Sequence, residues 1–255
     1  MKTNLIVLAP LTLGLLFLFS CQKDNANQPA FSTKVKTYIE DAYNTSLNAR
    51  DTFDVSYDTK DRILGVISKN GTLQFLYNYN LNSSYTIEIR NGNHLIIRQI
   101  NFINSDLLVD SSFQFNDTND STTQKFLYNA NKSLLQEKLY DYSLVTGTKL
   151  FRMHDYVYDS KGNALTNTER SPNGSANIIT SYTYSNLLTP IFSLATIYNP
   201  LPYKNLPDSK TVLYPSSGTS LTVYYTYTFD AYNRIVAETQ TINQHIEMVK
   251  KYIYY

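Results

Sequence analysis

The stretch Tyr85-Thr86-Ile87-Glu88-Ile89-Arg90-Asn91-Gly92-Asn93-His94, with its return through Ile103, decides the fold class of this chain. Tyr85, Ile87 and Ile89 alternate with Thr86, Glu88 and Arg90. In an extended backbone successive side chains point to opposite faces, so the run sorts into an apolar face and a polar one. Asn91-Gly92-Asn93 then supplies a tight turn, because Asn and Gly tolerate the positive φ that short hairpin turns demand. His94 to Ile103 returns as the partner strand, which completes one hairpin.

Outward from this hairpin the period of two recurs. Val223, Tyr225, Tyr227 and Phe229 share a face opposite Thr222, Tyr224, Thr226 and Thr228. Lys34 to Ala49 could be drawn as a helix, but Val35 to Glu40 alternates as well, and we read it as a strand. The chain has 23 Tyr and no Trp, and only 8 Gly and 8 Pro, too few for a disordered or collagen-like protein. Tyr, Thr and β-branched residues favour strands. The expected class is therefore all-β and antiparallel, with Asn, Ser and Thr in the turns.

A second pattern marks corners. Tyr156-Val157-Tyr158-Asp159-Ser160-Lys161-Gly162-Asn163 places two aromatics on one face of an outgoing strand, then an Asp that caps a turn through its side chain, then a residue suited to positive φ. Tyr227 to Ile235 repeats it around Asp230, and weaker copies surround Asp58 and Asn129. Only Asp159 to Gly162 keeps a glycine at the left-handed position; Asp61, Lys132 and Asn233 replace it elsewhere. The second aromatics, at 57, 128, 158 and 229, are spaced too irregularly for a strict solenoid.

The N-terminus carries an address. Met1-Lys2-Thr3-Asn4 precedes an uncharged run from Leu5 to Phe19, the layout of a secretory signal and too short to span a bilayer as a helix. It ends in Leu18-Phe19-Ser20-Cys21, which resembles the lipobox of bacterial lipoproteins. The resemblance implies cleavage before Cys21, the only cysteine, and its lipidation; several acyl chains anchor a protein without a spanning segment. Gln22 to Pro29 is a polar tether. Cys-Gln-Lys-Asp is similar to the signal that directs Bacteroidota lipoproteins to the outer face of the outer membrane, with Asn25 where another acid is usual.

Taken together, the corners resemble the YD repeat of Rhs and teneurin shells. With the lipobox, the chain resembles a group of Bacteroidota lipoproteins of unknown function with a porin-like fold, from about Val35 to Tyr255. The resemblance implies a large, strongly curved antiparallel meander, partly closed, and no known activity. The expected organisation is a signal peptide at 1–20, a tether at 21–30 and a single β domain at 31–255.

One region departs from the pattern. Pro190, Pro200, Pro202, Pro207 and Pro215 crowd between Thr189 and Ser217, and proline cannot donate to a sheet ladder. We expect a loop or plug over 189–217, with a helical turn near Ile191 to Ile197. Its apolar residues, Tyr198, Tyr203 and Leu206 among them, should cover an open part of the sheet or line a ligand loop.

Chemistry is harder to find. Lys+Arg 22 against Asp+Glu 21 gives a net charge of +1 and no basic stripe, which argues against nucleic acid as a partner. His94, His154 and His245 lack a second ligand at metal spacing, and no nucleotide, esterase or zinc-protease motif is present. Most Asp and Glu read as turn residues or outward-facing ones. The expectation is a non-catalytic outer-membrane lipoprotein that needs no cofactor or metal and faces the cell exterior. It would bind a glycan or another envelope protein through tyrosines such as Tyr198, Tyr203, Tyr225 and Tyr227. The alternatives are a glycan hydrolase with carboxylates assembled only in the fold, and an integral barrel with aromatic girdles.

Overall fold

A computed structural model describes residues 34–43, 49–81, 83–116, 121–143, 147–188 and 204–255. Alternation yields strands throughout: β1 (Val35–Ala42), β2 (Ala49–Tyr57), β3 (Ile63–Ser68), β4 (Leu73–Leu81), β5 (Ser84–Asn91), β6 (His94–Ile103), β7 (Val109–Asn116) and β8 (Ser121–Tyr128). They continue as β9 (Leu134–Ser143), β10 (Gly147–Tyr158), β11 (Ala164–Arg170), β12 (Ala176–Leu188), β13 (Asn205–Tyr214), β14 (Thr219–Phe229), β15 (Ile235–Ile242) and β16 (His245–Tyr254). Each pairs antiparallel with its neighbours in sequence. β16 pairs with β1, from Val35 opposite Tyr254 to Ala42 opposite Met248, so the 16 strands form a closed barrel. The expected meander is present, and it closes completely.

Residues directly opposite each other across a ladder share a face, and burial identifies the lumenal one. Tyr38 lies opposite Phe53 and Tyr252 and stacks on both, with ring centroids 5.7 Å apart in each pair. Val35, Val55, Ile63, Val66 and Tyr77 bury with Tyr38 and Phe53, and Leu73, Phe75 and Ile87 pack against them. The lumenal wall made by β1–β5 and β16 is thus a packed apolar core.

Five corners share one hydrogen-bond pattern. Asp58, Asn104, Asn129, Asp159 and Asp230 each accept, at the side-chain Oδ1, the backbone N–H groups two and four residues on, at 2.8–3.0 Å. Three residues after each lies a positive φ: Asp61, Leu107, Lys132, Gly162 and Asn233. Four of the five are the corners expected from sequence. The corner at Asn104 escapes that pattern because Ile103 replaces the aromatic and Leu107 takes the left-handed place. A leucine there costs roughly 1 kcal/mol against glycine. Leu107→Gly should therefore raise the unfolding free energy by about that amount, read from the denaturant midpoint at unchanged slope.

Every one of these corners is followed by a register shift, where Tyr57 pairs Ile63, Ile103 pairs Val109, Tyr128 pairs Leu134, Tyr158 pairs Ala164 and Phe229 pairs Ile235. Such a bulge interrupts the ladder, and tyrosine hydroxyls fill the gap. Tyr57 donates to the carbonyl of Val35 at 3.0 Å, Tyr128 to Val109 at 2.8 Å and Tyr158 to Leu134 at 2.9 Å. Tyr184 donates to Ala164 at 2.6 Å, Tyr227 to Pro207 at 3.0 Å and Tyr254 to Ile235 at 2.8 Å. All six acceptors sit at a register shift. Much of the tyrosine content thus holds one end of the barrel, hereafter the corner end. The strand-starting residues Val35, Ile63, Val109, Leu134, Ala164 and Ile235 are buried there.

The proline-rich region needs correction. Residues 189–203, with the expected helical turn, lie outside the described residues, but Asn205–Tyr214 is a strand rather than a continuation of the loop. Pro207 is tolerated because it sits at a shift in the β12–β13 ladder and precedes the first β13–β14 pair, Ser209 with Tyr224. Leu206 is buried, as expected of the apolar residues here. Asn163, 1% exposed, ties this strand to the corner at Asp159. Its Nδ2 donates to Asp159 Oδ2 at 2.9 Å and to Asn205 Oδ1 at 3.1 Å. Its Oδ1 accepts the backbone N–H of Lys204 at 2.6 Å and of Asn205 at 2.8 Å.

Candidate functional site: the lumenal belt

The other lumenal wall, β8 to β16, is chemically different. On β10 the alternation Arg152, His154, Tyr156, Tyr158 points into the barrel. His154 stands directly opposite Glu137 on β9 and Glu169 on β11, and Tyr156 is opposite Asn167. Two carboxylates therefore flank one imidazole. Arg152 Nη1 pairs with Glu169 Oε2 at 3.3 Å, and His154 Nδ1 lies 3.3 Å from Asn167 Oδ1. Burial pushes the Glu137 carboxyl up to about 7, against the pull of Arg152. Burial likewise holds the His154 imidazolium below its ordinary range, with Glu169 opposing. Burial thus favours the protonated form of Glu137 and the neutral form of His154.

Further round, Lys210 lies opposite Tyr182, Tyr225 opposite Gln240, and Tyr227 opposite Glu238. Glu238 is opposite Lys250, and Lys250 opposite Glu40. Gln240 Nε2 donates to Glu238 Oε1 at 2.8 Å, Lys250 Nζ sits 3.9 Å from the same oxygen, and Tyr38 donates to the Glu40 carboxylate. Burial lowers the Lys210 ammonium, with Lys250 adding and Glu238 opposing. Burial raises the Tyr225 phenol, with Glu238 and Tyr182 adding. The Tyr156 phenol is raised by burial and then by Glu137 and Tyr182. Tyr182 thus sits between the two clusters, and they join into one belt of tyrosine and ionisable groups.

Of the residues singled out from sequence, Tyr225 and Tyr227 face the lumen. Tyr225 belongs to the belt, whereas Tyr227 spends its hydroxyl on Pro207. Cys21, Tyr198 and Tyr203 lie outside the described residues. The three histidines are on β6, β10 and β16, and among the described residues no group of His, Cys, Asp and Glu is arranged to hold a metal. The reading that acidic residues alternate outward fails for Glu40, Glu137, Glu169 and Glu238. Alternation places Arg152 and His154 on the face of Tyr158, and the register shows that face to be inward.

The outer face carries charged pairs. Glu88 binds Arg90 and Arg98 at 2.7 and 2.6 Å, Asp155 binds Arg170 at 2.7 Å, and Asp41 binds Arg50 and Lys251 at 3.3 Å each. An Arg or Lys on the lipid face near a bilayer midplane costs roughly 2–4 kcal/mol. These ion pairs share the outer face with exposed apolar side chains such as Leu64, Phe151, Val157 and Tyr224.

No protein-family model matches the chain, and no curated protein does. Among solved structures it is similar to a porin-like protein from Bacteroides uniformis, at TM-score 0.60 and 13% identity over 87% of this chain and 98% of that one. It is likewise similar to a porin-like protein from Bacteroides vulgatus, at TM-score 0.61 and 12% identity over the same shares. The porin-like fold implied by the sequence resemblance is the observed fold.

Proposed function

We propose that this chain is a lipid-anchored outer-membrane protein, facing the exterior, whose barrel binds a small polar ligand, a glycan first among them, and is non-catalytic. The observation that carries the binding reading is the contrast between the two lumenal walls: packed side chains on β1–β5, and Tyr156, Tyr182 and Tyr225 among ionisable groups on β8–β16. Tyrosine faces stack on sugar rings, and the charged groups beside them bond hydroxyls. The Bacteroides origin of the similar porin-like proteins supports an envelope location. The lipobox at Cys21 supports the anchor, and the Asp- and Asn-capped corners support the kinship with YD-type repeats.

The binding test is a panel of envelope and dietary glycans against the intact protein. One class should be retained, and Tyr182→Ala with Tyr225→Ala should weaken it at least tenfold without altering the far-ultraviolet spectrum. An empty panel sinks the glycan reading. For the anchor, Cys21→Ala should move the protein out of the membrane fraction.

The hydrolase reading draws on one specific observation, the flanking of His154 by Glu137, which holds a proton near neutrality, and Glu169, paired to Arg152. A protonated and an ionised carboxyl facing one substrate is the arrangement glycosidases use. Release of reducing ends that is abolished by Glu137→Gln would favour it over simple binding.

A further inference from the structure

The outer face is most apolar at the corner end. Leu127, Leu135, Val157 and Leu165, on the adjacent strands β8 to β11, are all exposed there, with Leu127 at 57% and Val157 at 55%. Phe102 on β6 and Ile253 on β16 extend the band around the barrel, each exposed by nearly half. The band is shallow. Two residues further from the rim, Lys125 stands opposite Lys138 on the same outer face. Below the band the corner tips carry Lys60, Lys132, Lys161 and Tyr232, all exposed. Leu107 is 60% exposed at its tip, in a left-handed conformation that suits glycine better.

These exposed apolar side chains have no role in packing the barrel, and they are denser here than at the opposite rim, where Ile67, Phe151, Leu221 and Ile246 are exposed. The place of this rim relative to the chain's start is informative. The described chain begins at Lys34, whose carbonyl accepts from Tyr255 N at 3.1 Å, so β1 starts at this same corner end. Residues 22–33 separate it from Cys21, a length of at most about 40 Å. A lipid on Cys21 would tether the chain through this rim, but a leash as long as the strands does not by itself choose between the two rims.

We infer that the corner end is a membrane-contact surface, seated in the interfacial layer of a lipid bilayer with its apolar band immersed and its lysine and tyrosine tips among the headgroups. Lys and Tyr suit that layer because each combines an apolar body with a polar end. From tip to band is roughly two residues of strand plus the turn, which matches the 5–10 Å to which interfacial segments sink. The charged pairs of the outer face, which lie toward the opposite rim, then remain in water. The lumenal belt then stands above the membrane surface. The inference rests on the proposed anchor only for what brings the barrel to the bilayer.

The chain has no Trp, so a single introduced indole reports its own surroundings. Val157→Trp and Leu127→Trp report the band, and Ile246→Trp reports the outer face at the opposite rim. Each full chain is mixed with phosphatidylcholine–phosphatidylglycerol vesicles containing dibrominated acyl chains. The band indoles should shift to the blue and be quenched at least threefold more than that of Ile246→Trp. Equal quenching at the two rims overturns the inference, because a leash alone would not favour one rim. A blue shift that grows with protein concentration in the absence of vesicles also overturns it, in favour of contact between copies of the chain. Failure of the anchor reads out separately, as identical flotation of wild type and Cys21→Ala. The rim is then decided by band emission at saturating vesicles, where no shift overturns it.

Discussion

Glu137→Gln should make the protein more stable at pH 7.5 and leave it nearly unchanged at pH 4.5. A glutamate in an unfolded chain ionises near 4.5, and in the barrel burial raises this one to about 7. Between those values the folded state keeps a proton that the unfolded state has released. That linkage favours folding at the acid end, and the contribution fades as pH rises through 7. Above that point the folded barrel holds an ionised carboxylate in a poorly hydrated place. The difference of roughly 2.5 pKa units corresponds to about 3 kcal/mol. Glutamine keeps the shape and the polar contacts but has no charge to desolvate. Denaturant unfolding at the two pH values measures the effect. A gain of equal size at both would show that packing, and not ionisation, is responsible. A gain at neutral pH would also mean that the wild-type residue is kept at a cost to stability, as groups in ligand or catalytic sites often are.

Asn163→Ala should cost about 3 kcal/mol, more than most single substitutions. Its side chain answers both its own corner and the start of β13, with Lys204 N at 2.6 Å and Asn205 N at 2.8 Å. Alanine removes the acceptor from both donors, and each unsatisfied buried donor costs roughly 1–3 kcal/mol. The side chain of Asn205, itself buried, loses a donor to its Oδ1 in the same step. Because the clamp joins β11 to β13 around residues 189–203, the loss should appear first as faster proteolysis within that segment. Amide exchange at Lys204 and Asn205 should accelerate while exchange in β1–β5 stays slow. Protection lost evenly around the barrel would contradict a local clamp.

What the sequence announced and what it concealed follow from the reach of each signal. Hairpins are local, so Asn91-Gly92 and the Asp-capped corners could be read directly; the observed register places Asn91 opposite His94. The corner at Asn104 was hidden because the Asn side chain that defines it is flanked by Ile103 and Leu107 in place of the aromatic and the usual turn residue. Closure depends on Val35 meeting Tyr254, more than 200 residues away, and no local pattern encodes that. The site was hidden for a related reason. Glu137, His154 and Glu169 are separate charged residues until register aligns them, and alternation alone cannot say which face is the lumen. The tyrosines announced strands plainly, yet most of their hydroxyl work, such as Tyr158 to Leu134, spans two strands and is visible only in the fold.

Pairing of the first strand with the last also sets a schedule for the nascent chain. If a secretion channel delivers the polypeptide from its N-terminus, β1 emerges first and must wait for the last segment before its outer edge is satisfied. Throughout that interval the growing sheet exposes a row of unpaired N–H and C=O groups at each margin, which is the form most prone to intermolecular addition. A truncation that removes β16 would leave β1 and β15 permanently in that state. Such a chain should oligomerise rather than fold to a smaller barrel.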